Sequence, residues 1–233
     1  MPLLDLLCVK QVEVTPYYII NSDRKSTGIE LAVMTKIKRK LWEKYPDCKP
    51  LLKPTKFVEA LDIPTDKDIT AAHDKILQRE HIGDQYEWLA KVASYLKLPH
   101  LELGIHKDDR FTMLLNSLLV AIQTHSGKNF HLKSDFVNQP EYIIFKYFRY
   151  PLLEMSKLDM RNYAIKHGFE NLLHLTWFCH EPTFFSKKPC GTCLPCVYAI
   201  QEGMGYRIPL LGRFYYQLKF HHSSNKKASF LVC

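Results

Sequence analysis

The period of the hydrophobic positions changes several times along the chain, and each change marks an element. Residues 12–20, "VEVTPYYII", are β-branched and aromatic with few charges, the pattern of a strand buried on both faces. After the polar loop "NSDRKSTG", Ile29, Val33, Ile37, Leu41 and Tyr45 recur every four residues, with Lys36, Lys38, Arg39 and Lys40 between them. That spacing predicts an amphipathic helix. Residues 46–83 break every period after a few positions, so a short strand near "LLKPTKFV" and then an insertion-like segment are expected. Helical spacing returns at Tyr86, Leu89, Val92, Ala93 and Leu96, stops at Pro99, and gives way to a strand in "HLELGIH". "DDRFTMLLNSLLVAIQ" reads as a helix capped by Asp108 or Asp109, with Phe111, Leu114, Leu115, Leu118 and Ile122 as its apolar face. "EYIIFKYFRY" reads as a strand closed by Pro151. Ser156 with Asp159 then makes a capping-box pattern, opening a helix that Gly168 ends.

This alternation of strands and helices predicts an α/β fold with a doubly wound parallel sheet. The expected division is an α/β domain over 1–170, a cysteine-rich segment over 171–205 and an extension over 206–233. The extension's Phe and Tyr content suits an added strand or helix. Its His221 and His222 read as incidental rather than as metal ligands.

Composition narrows the class. The chain has 233 residues, 46% hydrophobic and 24% charged, which is the makeup of a soluble globular protein with a real core. Asp5 interrupts the apolar start, no basic segment precedes it, and no apolar run approaches the ~20 residues of a spanning helix. The expected setting is therefore the cytoplasm, without membrane contact, where thiols stay reduced. The net charge of +8 concentrates in "KIKRKLWEK" and around "NKK". It reads either as solvated surface or as a site for RNA, nucleotide phosphates or another polyanion.

The chemistry-bearing stretch is "FCHEPTFFSKKPCGTCLPC", where Cys179, Cys190, Cys193 and Cys196 are separated by ten, two and two residues. Tight turns that each deliver two thiolates are the usual way to surround tetrahedral zinc, and Gly191 and Pro195 supply the turn chemistry. Four thiolates leave no open coordination position, so such a zinc ion is structural. The alternatives are an iron–sulfur cluster, a redox dithiol in "CLPC", and disulfide pairing. The strand-then-helix context of a thioredoxin-like dithiol is absent here.

"PLLEMSKLDMRNYAIKHGFENLLHLTWFCH" followed by "CGTCLPC" resembles the C-terminal half of the 7-cyano-7-deazaguanine synthases (QueC) of queuosine biosynthesis. These belong to the ATP-pyrophosphatase (PP-loop) superfamily. Upstream, "YYIINSDRKSTGIELAVMTKI", with Glu30 and Leu31, is similar to the family's second strand and following helix, and "HLELGIHKDD" to the strand before its substrate loop. The resemblance covers about residues 8 to 200. It implies that the four cysteines bind zinc and that ATP adenylates the carboxylate of a 7-carboxy-7-deazaguanine. Ammonia then forms the amide, which is dehydrated to the nitrile. It further implies an ATP site with Lys157, and a substrate loop with His106, Asp108 and Asp109.

Each of these residues has a plainer reading. Lys157 suits the first turn of any helix, and either aspartate suits a helix cap. Asp23 and Lys25, with Arg24, follow a strand's carboxyl end, where open α/β sheets bind ligands such as ATP, but they equally suit a solvated turn. Trp177 and Phe178 suit stacking on a flat base or packing around the cysteines.

The chain departs from the family in lacking the SGGxDS loop, the Arg-Asn pair ahead of residue 84, and the Arg just past the last cysteine. The loop and the central strand before it are therefore expected from an earlier start or from another chain, unless the sheet has been rebuilt. A homo-oligomer is one such source. Two other functions stand as alternatives. One is a non-catalytic zinc-stabilised module for RNA or a partner protein. The other is a PP-loop enzyme acting on a protein or a nucleic-acid base.

Overall fold

The computed structural model describes residues 1–80 and 82–227. Helix α1 (Pro2–Cys8) has Pro in its first turn, where a missing N–H leaves nothing unpaired. Strand β1 (Tyr17–Ile20) is shorter than the expected 12–20, because Pro16 has no N–H for the ladder. Val14 nevertheless already pairs in parallel with Leu52. Helix α2 (Thr27–Lys44) follows the four-residue spacing, and β2 (Lys56–Glu59) pairs in parallel with β1.

The expected insertion-like segment contains a helix, α3 (Lys67–Leu77), started by Asp66, whose carboxylate accepts from the N–H groups of Asp68 and Ile69. Its buried Ile69, Ala72, His73 and Ile76 are helically spaced, but the charges between them mask the period. Helix α4 (Gln85–Tyr95) falls where its period predicts, followed by β3 (Leu101–Glu102).

The helix expected over 108–123 is corrected. Only α5 (Arg110–Leu115) forms, and "LVAIQTHSGKNFHL" makes an antiparallel hairpin of β4 (Leu119–Thr124) and β5 (Gly127–Leu132). The apolar positions fit both periods. What decides is the turn, since Gly127 sits at φ +102°, a conformation other residues rarely adopt.

The strand expected over 141–150 is also corrected. Pro140 and Gln139 start a short helix, α6 (Pro140–Phe145), and only β6 (Phe148–Arg149) is extended, in parallel with β3. Buried Glu141 of α6 pairs with Arg79 at 2.8 Å, and Ile144 and Phe145 are fully buried. Helix α7 (Lys157–Lys166) carries the expected Ser156–Asp159 capping box, with Gly168 just beyond its end. The remaining helices are α8 (Glu170–Leu173), α9 (Leu194–Ala199) and α10 (Leu210–Lys227).

The described residues thus form a mixed α/β structure with two short parallel pairs, β1·β2 and β3·β6, and one antiparallel hairpin, β4·β5. No helix among them is long and apolar enough to cross a membrane.

Two compact units divide the chain. The first comprises Met1–Asn21 and Tyr45–His167, the second Ser22–Lys44 and the chain from Gly168 onward. Helix α2 therefore groups with the cysteine segment rather than with the strand before it. The first unit's core is aromatic: Tyr86 stacks on Phe111 at 4.4 Å, and Phe145 meets Phe111 edge-on at 4.4 Å. In the second unit α2 packs on α8, and Cys179, Cys196, Ala199, Met204 and Ile208 form a separate buried cluster.

Candidate metal centre

Cys179, Cys190, Cys193 and Cys196 come together with their sulfurs all within 4.8 Å of one another. The sequence reading of these four as one ligand set is thereby matched in space, and the site can hold a metal ion such as zinc. Cys179 follows Trp177 and Phe178, which pack against the cluster. The "CGTC" turn supplies Cys190 and Cys193, and Cys196 lies in the first turn of α9, which has Pro195 at its start. The Cys179–Cys193 sulfur separation is 3.8 Å. That matches the edge of a tetrahedron with bonds of about 2.3 Å, the zinc–thiolate length, and is far beyond the ~2.05 Å of a disulfide.

Backbone N–H groups point at the sulfurs. Cys190 N–H donates to Cys179 Sγ at 3.3 Å, and Thr192 and Cys193 N–H donate to Cys190 Sγ at 3.4 and 3.3 Å. Such donors stabilise thiolate charge and orient ligands around an ion. Hydrogen bonds from Cys179 and then Cys196 pull the Cys193 thiol far below its ordinary range. The Cys179 thiol is pushed up to about 12, first by its contact with Cys193, and Cys196 is pushed up by Cys179 and Cys193. A cation among these sulfurs would favour their thiolate forms.

Two glycines let the site close. Gly191 has φ +86°, and a Cβ there would lie 1.9 Å from the Gly212 carbonyl oxygen. The start of α10 thus abuts the CGTC turn, backbone against backbone. Sequence reasoning missed Gly212, and it also missed Arg207. The Arg207 guanidinium lies 4.7 Å over the Phe178 ring and donates to the Thr176 carbonyl and hydroxyl. Burial lowers its pKa from the ordinary arginine value. An arginine thus reaches the cysteine cluster from later in the chain, through Phe178. Trp177 donates to the Cys179 carbonyl at 2.6 Å, and both Trp177 and Phe178 pack against the buried cluster.

The remaining named residues divide between the units. In the second, Asp23 is exposed and Lys25 pairs with Glu181 at 2.5 Å, while Arg24 and buried Ser26 both hold Glu30. In the first, Lys157 is the opening residue of α7. His106 is buried, and its carbonyl accepts from Asp109 N–H at 3.0 Å and from the Thr112 hydroxyl at 2.7 Å. Asp109 caps α5 through Phe111 N–H, and Asp108 is exposed. His221 and His222 have side chains outside the described part.

The first unit also holds a cavity of about 200 Å³ beside residues at the carboxyl ends of β3 and β6, namely Glu102, Pro151 and Leu152. Asp5, Lys10 and Tyr163 line it as well, with Asp5 bonded to both at 2.6 Å. Burial, helped by the Asp5 carboxylate, pushes the Tyr163 phenol up to about 12. One Glu102 oxygen accepts from Ser126 and Asn129. None of the residues named for ATP or substrate lines this cavity.

Comparison with known protein families, with curated proteins and with solved structures finds no match to this chain.

Proposed function

We propose that the chain is a QueC-like protein of the PP-loop superfamily whose four cysteines hold a structural zinc ion. Its substrate would be a 7-carboxy-7-deazaguanine-type carboxylate, converted to the nitrile through an adenylate. The observation that carries the reading is the convergence of Cys179, Cys190, Cys193 and Cys196, the positions the resemblance assigns to zinc, within 4.8 Å. One further feature supports it: the capping-box helix α7 opens at Ser156 and Lys157 of "PLLEMSK", as in the family. In a doubly wound sheet of this kind, β1·β2 and β3·β6 would be parts of one parallel array.

Under this reading zinc shapes the second unit and takes no part in the reaction, because four thiolates leave no position for water or substrate. His106, Asp108 and Asp109 would contact the deazaguanine. Lys157 of the first unit, and separately Asp23 and Lys25 of the second, are the candidates for contact with ATP. The SGGxDS loop that cradles the phosphates is not in this sequence. Ligand binding therefore tests the reading more directly than turnover. Calorimetric titration with 7-carboxy-7-deazaguanine is expected to show binding that weakens in Asp109→Asn. A fusion carrying the family's first strand and SGGxDS loop ahead of Met1 is expected to release pyrophosphate and form the nitrile, read by mass spectrometry. Absence of both binding and turnover sinks the enzyme reading.

A further inference from the structure

The whole formal net charge of the chain belongs to the second unit. That unit has fourteen Lys and Arg against six Asp and Glu, whereas the first has eighteen of each. The imbalance steepens toward the C-terminus. From Pro182 to the end there is one acidic residue, Glu202, against seven Lys and Arg. An enzyme acting on a small carboxylate does not need this separation, but a polyanion-binding surface does.

Exposed aromatic side chains accompany the charge. In the loop between Cys179 and Cys190, Phe184 is 78% exposed and Phe185 95% exposed, set edge to face at 5.1 Å. Lys187 lies 5.3 Å over Phe184, and Lys188 is also exposed. The loop ends at Pro189 and Cys190, whose carbonyls abut Gly212 of α10. On α10, Phe214 and Tyr215 are exposed within a stripe that includes Leu210, Leu211 and Leu218. At helical spacing Arg213 and Lys219 flank that stripe, one on each side. Rigid, solvated aromatic faces edged by cations are what unpaired bases and their phosphates require. A protein groove-filler would be served by the leucines alone, and would leave the basic rim unmatched.

We propose that the second unit binds single-stranded nucleic acid, with Phe184 and Phe185 as a stacking platform, Phe214 and Tyr215 of α10 as a second, and Lys187, Lys188, Arg213 and Lys219 tracking the phosphates. This function stands apart from the deazaguanine chemistry. The four-thiol cluster contributes by fixing the loop that carries the Phe pair against the start of α10.

The test uses the full zinc-loaded chain and fluorescein-labelled 20-mers of mixed sequence: single-stranded RNA, single-stranded DNA and the corresponding duplex. Fluorescence anisotropy across a salt series is expected to show either single strand bound more tightly than duplex, with affinity falling as salt rises. The double variant Phe184→Ala with Phe185→Ala is expected to weaken single-strand binding at least about fivefold, the lower end for one lost stack. Lys187→Glu with Lys188→Glu is expected to weaken binding and flatten the log–log salt slope by about one or more. All four side chains are exposed, so zinc content and circular dichroism should stay at parental values. Three results would overturn the proposal. One is no binding to any 20-mer. Another is binding that heparin displaces equally well and that the Phe variant leaves unchanged. The third is a chain that sediments as a dimer dissociated by Phe214→Ala with Leu218→Ala while ignoring oligonucleotides.

Discussion

At the scale of single residues, Arg207 and Gly191 do most to close the metal centre. Arg207 satisfies the Thr176 carbonyl and hydroxyl and covers the face of Phe178, the residue before Cys179. Charged hydrogen bonds of this kind contribute about 1.5 to 3 kcal/mol, and a cation over a ring about 0.5 to 1 more. Arg207→Ala is therefore expected to destabilise the second unit by about 2 kcal/mol in denaturant titration. Arg207→Lys should recover only part, because an ammonium that reaches the Thr176 oxygens cannot also lie flat on Phe178 as the guanidinium does. Gly191→Ala is expected to be worse, on the order of 3 kcal/mol, with loss of stoichiometric zinc. The new methyl would stand 1.9 Å from a backbone oxygen at a φ of +86°, so neither rotamer change nor side-chain motion relieves it. The cysteines themselves were legible from spacing, since two tight turns leave few other uses for four thiols. Arg207 was not, because nothing local in "GYRIP" reports that the chain folds back onto Phe178.

At the scale of elements, legibility followed how much of the signal was local. Helices α2 and α4 and the α7 capping box carry their period or their cap within one stretch of chain, and the structure has them in place. The hairpin β4·β5 and helix α6 were misread because a short apolar run fits both periods, and tertiary packing settles which one forms. Helix α3 was hidden by the charges that stand between its apolar positions, and it meets α4 at Glu87. Thr70 and Lys91 donate to Glu87 at 2.7 and 2.6 Å, with buried His73 at 3.9 Å. Burial opposes ionisation of Glu87, but the hydrogen bonds from Lys91 and Thr70 outweigh it, so its carboxyl sits below the usual glutamate range. A depressed folded pKa gives stability that is present above the unfolded value and lost as pH falls through the folded one. Glu87→Gln should thus be less stable than the parent near neutral pH, by roughly 0.5 kcal/mol after solvent screening. The gap should close as the pH drops below the ordinary carboxylate range. Paired thermal melts from pH 7 to pH 3 measure this, and a gap independent of pH would contradict it.

At the scale of the whole molecule, the two units rest on different physics. The first has a continuous apolar core from α3, α4, α5, α6 and the hairpin, centred on Tyr86, Phe111 and Phe145. Among its described residues the second buries a smaller cluster around Cys179 and Cys196, with Leu41, Phe169 and Leu172 buried where α2 packs on α8. A core of that size is marginal without a cross-link, which is the usual circumstance for a structural metal. Its charge adds to the problem, because a unit with an excess of eight cations repels itself more strongly at low salt. If the four cysteines hold zinc as proposed, a chelator should therefore act on the second unit alone. Calorimetry of the zinc-loaded chain should show two transitions. Chelation should abolish or lower the one that Gly191→Ala also lowers, and leave the transition sensitive to Phe111→Ala unchanged. Added salt should partly restore the chelated unit by screening its charge, and zinc should restore it fully. If chelation moves both transitions equally, the two units share one cooperative core, and the division of labour between an apolar unit and a metal-held basic unit does not exist.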